Sequence, residues 1–289
     1  MINIEYISIE QFLELRKAIP VIDVRTPSEF EKGHIKDAKN VAVFNNDDRR
    51  IIGTVYKQVG RREAILKSYE LIGPKIKDLV LQFEKNTTDK RALVYCWRGG
   101  LRSYAFAWLL SLYGIKILVV KGGYKAYRKY LKDKLATNAK ILILSGMTGS
   151  GKTEILECMK EYGQQVINLE QLAHHKGSAF GSIGQEQQLP NEQFENILGE
   201  AWLNCDYTKP IWLEDEGRSI GSNFIPQELF VQMRQAPVIK IEVPQLLRIK
   251  RLVKEYSNCE PTVLIEDTVK ITNRLGGQHA KAAIQAIES

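Results

Sequence analysis

Residues 140–153 hold a pattern that few chain geometries satisfy. Lys140-Ile141-Leu142-Ile143-Leu144-Ser145 is an apolar run of strand length. It leads directly into Gly146-Met147-Thr148-Gly149-Ser150-Gly151-Lys152-Thr153, which fits G-x-x-x-x-G-K-[ST] in full. Glu154 to Met159 then continues in a helical pattern. Strand, glycine-rich turn and helix in that order let backbone N–H groups and the helix N-terminus cradle a diphosphate. Lys152 reaches its terminal oxygens and Thr153 can hold Mg²⁺.

A second glycine-rich loop lies about fifty residues upstream. Ala92-Leu93-Val94-Tyr95 reads as a buried strand, and Cys96-Trp97-Arg98-Gly99-Gly100-Leu101-Arg102-Ser103 follows it. The glycines let successive N–H groups turn inward as an anion-binding nest. Those dipoles, with Arg98 and Arg102, favour thiolate over thiol, so the Cys96 pKa is expected to be depressed. Such a loop suits a tetrahedral anion, or a chalcogen carried on the sulfur.

The chain has 289 residues, enough for two domains with cores of their own. An apolar content of 44% with 26% charged residues places it among globular chains. It contains no apolar run of about 18 residues that would span a membrane. Its first residues lack the basic and apolar regions of a signal peptide. Cys96, Cys158, Cys205 and Cys259 are scattered without a CxxC pair. That argues against a zinc site or a disulfide framework and points to a cytoplasmic location. Cys158, Cys205 and Cys259 read as ordinary core or helix-face thiols.

Charge is unevenly spread. Residues 1–139 hold 26 Lys+Arg and 15 Asp+Glu, a net of +11, and residues 140–289 hold 15 and 19, a net of −4, which sum to +7. A polyanion is therefore drawn mainly to the first half, by a surface that serves either solubility or nucleic-acid binding. Lys121 to Lys134 carries six basic residues and Tyr124, Tyr127 and Tyr130 at helical spacing. The rings are expected to pack on the domain while the lysines stay solvated.

Short apolar runs alternate with helical patterns throughout the first half. Pro20 to Arg25, Ala92 to Tyr95 and Ile115 to Val120 read as strands, and Ser103 to Leu110 as an apolar helix. This alternation predicts a parallel α/β sheet with the Cys96 loop at the carboxyl end of a central strand. Ala136-Thr137-Asn138-Ala139 reads as a linker between domains at 1–136 and 140–289, the second ending in a helical tail. Pro210 to Leu213 is an apolar strand that ends in Glu214-Asp215-Glu216. In a P-loop protein that place supplies the carboxylate that orients Mg²⁺. Glu214 or Asp215 would serve, and Arg218 would neutralise phosphate charge. No metal ligand is fixed by pattern: His174 and His175 are adjacent, and neighbouring side chains diverge.

Asp23-Val24-Arg25, Glu29-Phe30 and Gly33-His34-Ile35 form a further signature in the first half. Arg25 is expected to pair Glu29, Gly33 to end a short helix, and His34 to be structural. With the Cys96 loop, these stretches resemble the rhodanese family over roughly residues 5–130. That resemblance implies a rhodanese-like α/β fold in which Cys96 carries sulfur or selenium. The C-x5-R run from Cys96 to Arg102 is one residue longer than in ordinary sulfur-transferring rhodanese domains. It is similar in this to Cdc25-type phosphatases and some arsenate reductases, and it admits a larger anion.

The two loops together resemble the tRNA 2-selenouridine synthase family, a rhodanese-like domain fused to a P-loop NTPase-like α/β domain. Ser178-Ala179-Phe180-Gly181, Gln187-Gln188-Leu189-Pro190 and Glu214 to Gly221 add to that likeness. Leu101 and Gly217 stand where the family usually has Met and Ser, and the chain reads as short at its C-terminal end. The resemblance implies a transferase that converts wobble 2-thiouridine of tRNA to 2-selenouridine. It does so through an S-geranyl intermediate, from geranyl diphosphate and selenophosphate. Cys96 would carry or receive selenium, Arg98 and Arg102 would stabilise the anion, and Lys152 with Thr153 would bind the diphosphate. No tightly bound cofactor is expected, Mg²⁺ would enter with the diphosphate, and the partners implied are tRNA and a selenophosphate-supplying enzyme. The competing readings are a Cys-dependent phosphatase or arsenate reductase fused to a kinase-like domain, and a non-catalytic RNA-binding regulator.

Overall fold

A computed structural model describes residues 4–257 and 259–288. The chain divides between Asp133 and Lys134 into two compact units, each built on its own parallel sheet.

The first unit contains β1 (Glu5–Ile7), β2 (Val21–Asp23), β3 (Lys39–Asn40), β4 (Arg91–Tyr95) and β5 (Lys116–Val120). Their order is β1-β5-β4-β2-β3, with every neighbouring pair parallel. β4 is central and buried from Ala92 to Tyr95. Helices cover both faces of such a sheet, so its strands read as continuous apolar runs rather than alternating ones. The helix Leu101–Leu112 contributes Phe106, Ala107 and Leu110 to the core, and Ile76–Lys85 contributes Leu79, Val80 and Phe83. The Phe83 and Phe106 rings meet at 4.9 Å between centroids. Helices Asn46–Gln58 and Arg61–Ile72 pack on each other as a hairpin that the strand-and-helix pattern did not announce. Each buries only one residue, and Arg61–Ile72 carries little apolar periodicity to read. Tyr124 and Tyr127 are fully buried, as their helical spacing predicts.

The Asp23–Arg25 segment differs from expectation. Arg25 does not pair Glu29. Its Nε and Nη2 donate to the Asp23 carboxylate at 2.9 and 2.6 Å, and Nη2 also donates to Gly33 O at 2.6 Å. The guanidinium lies 3.8 Å from the Tyr124 ring centroid, and both charged side chains are fully buried. A guanidinium removed from water needs a counter-charge removed with it. Glu29 is on the outer first turn of the helix Pro27–Lys32, where Thr26 and Glu29 form a capping box, and there it meets Arg102 instead.

The second unit contains β6 (Ile141–Gly146), β7 (Gln165–Val166), β8 (Ile211–Glu214) and β11 (Val238–Ile241), ordered β11-β6-β8-β7 and all parallel. A separate antiparallel pair is formed by β9 (Ser219–Ile220) and β10 (Asn223–Phe224). Phe194, Leu198 and Trp202 of the helix Asn191–Leu203 join Ile143 and Leu213 in the core. The chain finishes in helices Pro261–Lys270, Thr272–Leu275 and Gly277–Glu288. Among the described residues, no helix is long and apolar enough to cross a membrane.

Replacing Asp23 by Ala strands the Arg25 charge and should cost about 3–5 kcal/mol in denaturant unfolding. The double change Asp23→Leu with Arg25→Met should cost less than Asp23→Ala alone.

Candidate active site

Cys96 sits immediately beyond β4, 3% exposed, in front of the N-terminus of the helix Leu101–Leu112. Tyr124 N donates to Cys96 O at 2.9 Å and Lys125 N donates to Trp97 O at 3.0 Å, so the next crossover clamps the loop from behind. The approach is close enough to demand glycine. Gly123 has φ +57°, and a Cβ there would collide with Cys96 O and stand 2.6 Å from Gly99 N. Cys96 Sγ lies 3.3 Å from Ser103 Oγ, which donates to Gly100 O at 3.0 Å.

Burial alone would raise the Cys96 pKa. The Ser103 hydroxyl, the Arg102 charge and the backbone N–H groups of Arg98 and Gly100 outweigh it, and the thiol is held below its ordinary value. Arg98 therefore acts on the sulfur through its amide, while its side chain is exposed. Arg102 is the charged neighbour, held by Glu29 at 3.0 Å. Burial opposes the ionised form of Glu29, but Arg102 and the Thr26 amide lower its pKa overall. Glu29 was legible only as part of a motif, since its partner lies 73 residues away. Trp97 is half-buried against Tyr124, and the side chain of Leu101 lies outside the described residues. His34 stacks on Phe30 at 3.8 Å and its Nδ1 is 2.9 Å from Phe30 O, a structural placement.

In the second unit, β6 ends at Gly146 and the helix Lys152–Glu161 begins six residues later, so Met147 to Gly151 form the turn. Gly149 and Gly151 have φ of +78° and +83°. Ser150 Oγ is buried inside the loop with no partner among the described residues. Lys152 Nζ folds back to donate to Gly146 O at 3.1 Å.

The acids after β8 separate by function of position. Glu214 faces the loop: Thr153 Oγ1 is 3.5 Å from its Oε1, and Glu170 N donates to its Oε2 at 3.2 Å. Asp215 turns aside to Ser145 Oγ at 2.7 Å and Arg234 at 3.2 Å. Arg218 stands exposed beyond β8, its carbonyl accepting from Ile225 N at 2.9 Å. Sequence reasoning missed Glu170 and underweighted Glu216. Glu170 enters on the first turn of Leu169–Ala173, which Asn168 caps, and lies 3.4 Å from Thr153 Oγ1. A lone Glu on a five-residue helix gives no signal before folding.

Burial and the charge of Glu170 push the Glu214 pKa up to about 7. Burial, Glu170 and Glu214 together push Glu216 up to about 8, and burial raises Glu170. Lys152 opposes each rise. Thr153, Glu214 and Glu170 present the hard oxygen donors that Mg²⁺ prefers. Among the described residues no three carboxylate, His or Cys side chains form a ready metal cage. The donor set fits an ion that would be completed by ligand oxygens, and the chemistry such an ion would supply is charge neutralisation. His174 and His175 do diverge: His174 Nδ1 lies 3.2 Å from Gln187 O, whereas His175 Nδ1 is buried without a partner among the described residues.

Two changes test this geometry. Ser103→Ala removes the hydroxyl that does most to hold the Cys96 pKa down, so the midpoint of Cys96 alkylation by iodoacetamide against pH should move upward. Glu216 has a folded pKa above its unfolded value, so its contribution to stability is full below the unfolded pKa and is lost as pH rises through about 8. Glu216→Gln should therefore raise the melting temperature at pH about 8 and change it little at pH about 5.

Residues 139–288 match the family described as "tRNA 2-selenouridine synthase AAA domain", and residues 8–130 match "Rhodanese-like domain". A protein named tRNA 2-selenouridine synthase from Shewanella piezotolerans is 38% identical over 244 residues, covering 82% of this chain and 66% of that protein. One of the same name from Cronobacter sakazakii is 36% identical over 252 residues, with 84% and 66% covered. The matched region thus spans just under two thirds of these relatives' length. A crystal structure of an N-terminal domain from Clostridium difficile 630 is 39% identical, covers 44% of this chain and 98% of its own, and has a TM-score of 0.40. With a rhodanese-like domain and the matching P-loop domain on one chain, this protein belongs to the tRNA 2-selenouridine synthase family.

Proposed function

We propose that this chain is a transferase that replaces sulfur by selenium in wobble 2-thiouridine of tRNA in the cytoplasm. The observation that carries the reading is the pairing of a lowered-pKa cysteine nest with a P-loop on one chain of this family. Each loop answers a different chemical need.

The first step needs an alkyl donor with a good leaving group. The sulfur of 2-thiouridine attacks C1 of geranyl diphosphate, a C–S bond forms, the C–O bond breaks and diphosphate departs. Lys152 and the loop amides stabilise the charge that grows on that leaving group. Thr153 and Glu214 would hold a Mg²⁺ ion, which would neutralise charge on the departing diphosphate. Alkylation converts a poor leaving sulfur into a thiolate that leaves well.

The second step is redox-neutral overall. Selenium from selenophosphate takes the C2 position, geranylthiol leaves, and phosphate takes its oxygen from water. The Cys96 nest suits the tetrahedral selenophosphate anion, with Arg102 and the amides of Arg98 and Gly100 directed at it. The Cys96 thiolate attacks phosphorus, the P–Se bond breaks and selenium leaves at the selenide level for C2, and water then hydrolyses the S–P bond to give phosphate and the free thiolate. The basic first half, net +11 over residues 1–139, attracts tRNA, and a selenophosphate-supplying enzyme is the implied partner.

The test incubates purified protein with tRNA bearing 2-thiouridine, geranyl diphosphate and selenophosphate, and reads the nucleosides by mass spectrometry. 2-Selenouridine should appear, and S-geranyl-2-thiouridine should accumulate when selenophosphate is withheld. Lys152→Ala should block geranylation, whereas Cys96→Ala should permit geranylation and block selenium entry. Selenation intact in Cys96→Ala would remove the cysteine from the mechanism. Cys96-dependent hydrolysis of p-nitrophenyl phosphate, with the nucleoside unchanged, would favour the phosphatase reading.

A further inference from the structure

The helix Gln245–Tyr256 presents its polarity in reverse. Leu246, Leu247, Ile249 and Val253 are exposed, and the helix has no fully buried residue. Surface helices ordinarily dock by an apolar stripe. This one turns Arg248 and Arg251 inward, with Leu252 beside Gly149, and both arginines rest on the P-loop. Arg248 Nη1 donates to Thr148 O at 3.3 Å and its Nε donates to Val243 O at 3.2 Å. Arg251 Nη1 donates to Gly149 O at 3.2 Å and its Nη2 to Glu154 Oε2 at 3.0 Å. A Cβ on Gly151 would lie 2.7 Å from Arg251 Nη1, so the guanidinium lies flat against the turn. Arg248 also lines a recess of about 470 Å³ that opens beside Met147. The far end of the helix is tied to the segment after His175 by the Lys176–Glu255 ion pair at 2.6 Å.

Neutral carbonyls are modest partners for a guanidinium, and charged oxygens bind it about twice as strongly. The carbonyls of Thr148 and Gly149 face the 245–256 helix, and the two arginines occupy that rim of the loop. We propose that Arg248 and Arg251 form a clamp on the diphosphate held by the P-loop. On binding, they exchange the carbonyls of Thr148 and Gly149 for the ligand's outer oxygens and draw the 245–256 helix over the site. This rests on the reading of the P-loop as a diphosphate site. The chemistry selects two linked phosphoryl groups: one lies in the amide cradle with Lys152, and the planar guanidinium forks take the oxygens beyond it. Glu154 holds Arg251 until the ligand arrives.

The test measures binding of inorganic pyrophosphate to the full chain by calorimetry, with orthophosphate as the single-phosphoryl comparison. Arg248→Ala and Arg251→Ala should each weaken pyrophosphate by about tenfold and leave orthophosphate nearly unchanged. Pyrophosphate should slow amide hydrogen exchange across residues 245–256 in the parent and not in the double variant. Glu154→Gln separates a clamp from a structural strut. A clamp with Arg251 released binds pyrophosphate at least as tightly as the parent, whereas a strut would lose affinity as Arg251→Ala does. Should an Ala variant fail to fold, Arg251→Lys keeps the charge, loses the fork, and should still weaken pyrophosphate several-fold. Unchanged affinity in the arginine variants, with Lys152→Ala abolishing binding, would overturn the clamp and leave the P-loop reading intact. Full affinity in Lys152→Ala would overturn both.

Discussion

Every neighbouring pair in the two main sheets is parallel, and the rest of the molecule follows from that. A parallel strand must be left by a crossover, so all carboxyl ends in a sheet arrive at one edge and the turns there are free to carry chemistry. β4 delivers Cys96 to such an edge, and β6 delivers Gly146. In each case a helix begins directly after the turn, at Leu101 and at Lys152. Each turn therefore gains converging N–H groups and the positive end of a helix dipole. One architectural rule, used twice, produces two glycine-rich turns at helix N-termini, of different character.

The difference lies in how each unit treats buried charge. In the first unit it is matched. Asp23 and Arg25 neutralise one another under the Tyr124 ring, and Glu29 holds Arg102 near the sulfur. What remains unmatched there is the nest itself, which with Ser103 and Arg102 holds the Cys96 pKa below its ordinary value. In the second unit the excess is negative. Glu170, Glu214 and Glu216 crowd Lys152 and Thr153, and burial raises all three acids. Such a cluster favours a proton or a cation, while the loop above it favours an anion. Lys152, folded back on Gly146 O, stands between the two tendencies.

Several elements could be read directly from the chain because their signals are local. The apolar runs of β4, β5 and β6 and the glycine-rich turns each lie within a few residues. Partner choice was not local. Glu29 reaches Arg102 rather than Arg25 because the fold buries Arg25 beside Asp23 and leaves Glu29 at the rim. Glu214 and Asp215 are adjacent in sequence, yet strand alternation sends one toward Thr153 and the other toward Ser145 and Arg234.

The amino-acid order alone determined two strand–turn–helix units with glycine-rich turns, a cysteine at the start of one of them, and a charge asymmetry between halves. Those properties depend on residues close in the chain, where φ/ψ freedom, apolar period and backbone donors act directly. Tertiary structure decided which charges meet. It placed Gly123 against the Cys96 carbonyl, gathered Glu170 with Glu214 and Glu216, and laid Arg248 and Arg251 on the carbonyls of Thr148 and Gly149. Electrostatic energy depends on distance through space and on burial, and neither is fixed until the sheet edges and crossovers are in place.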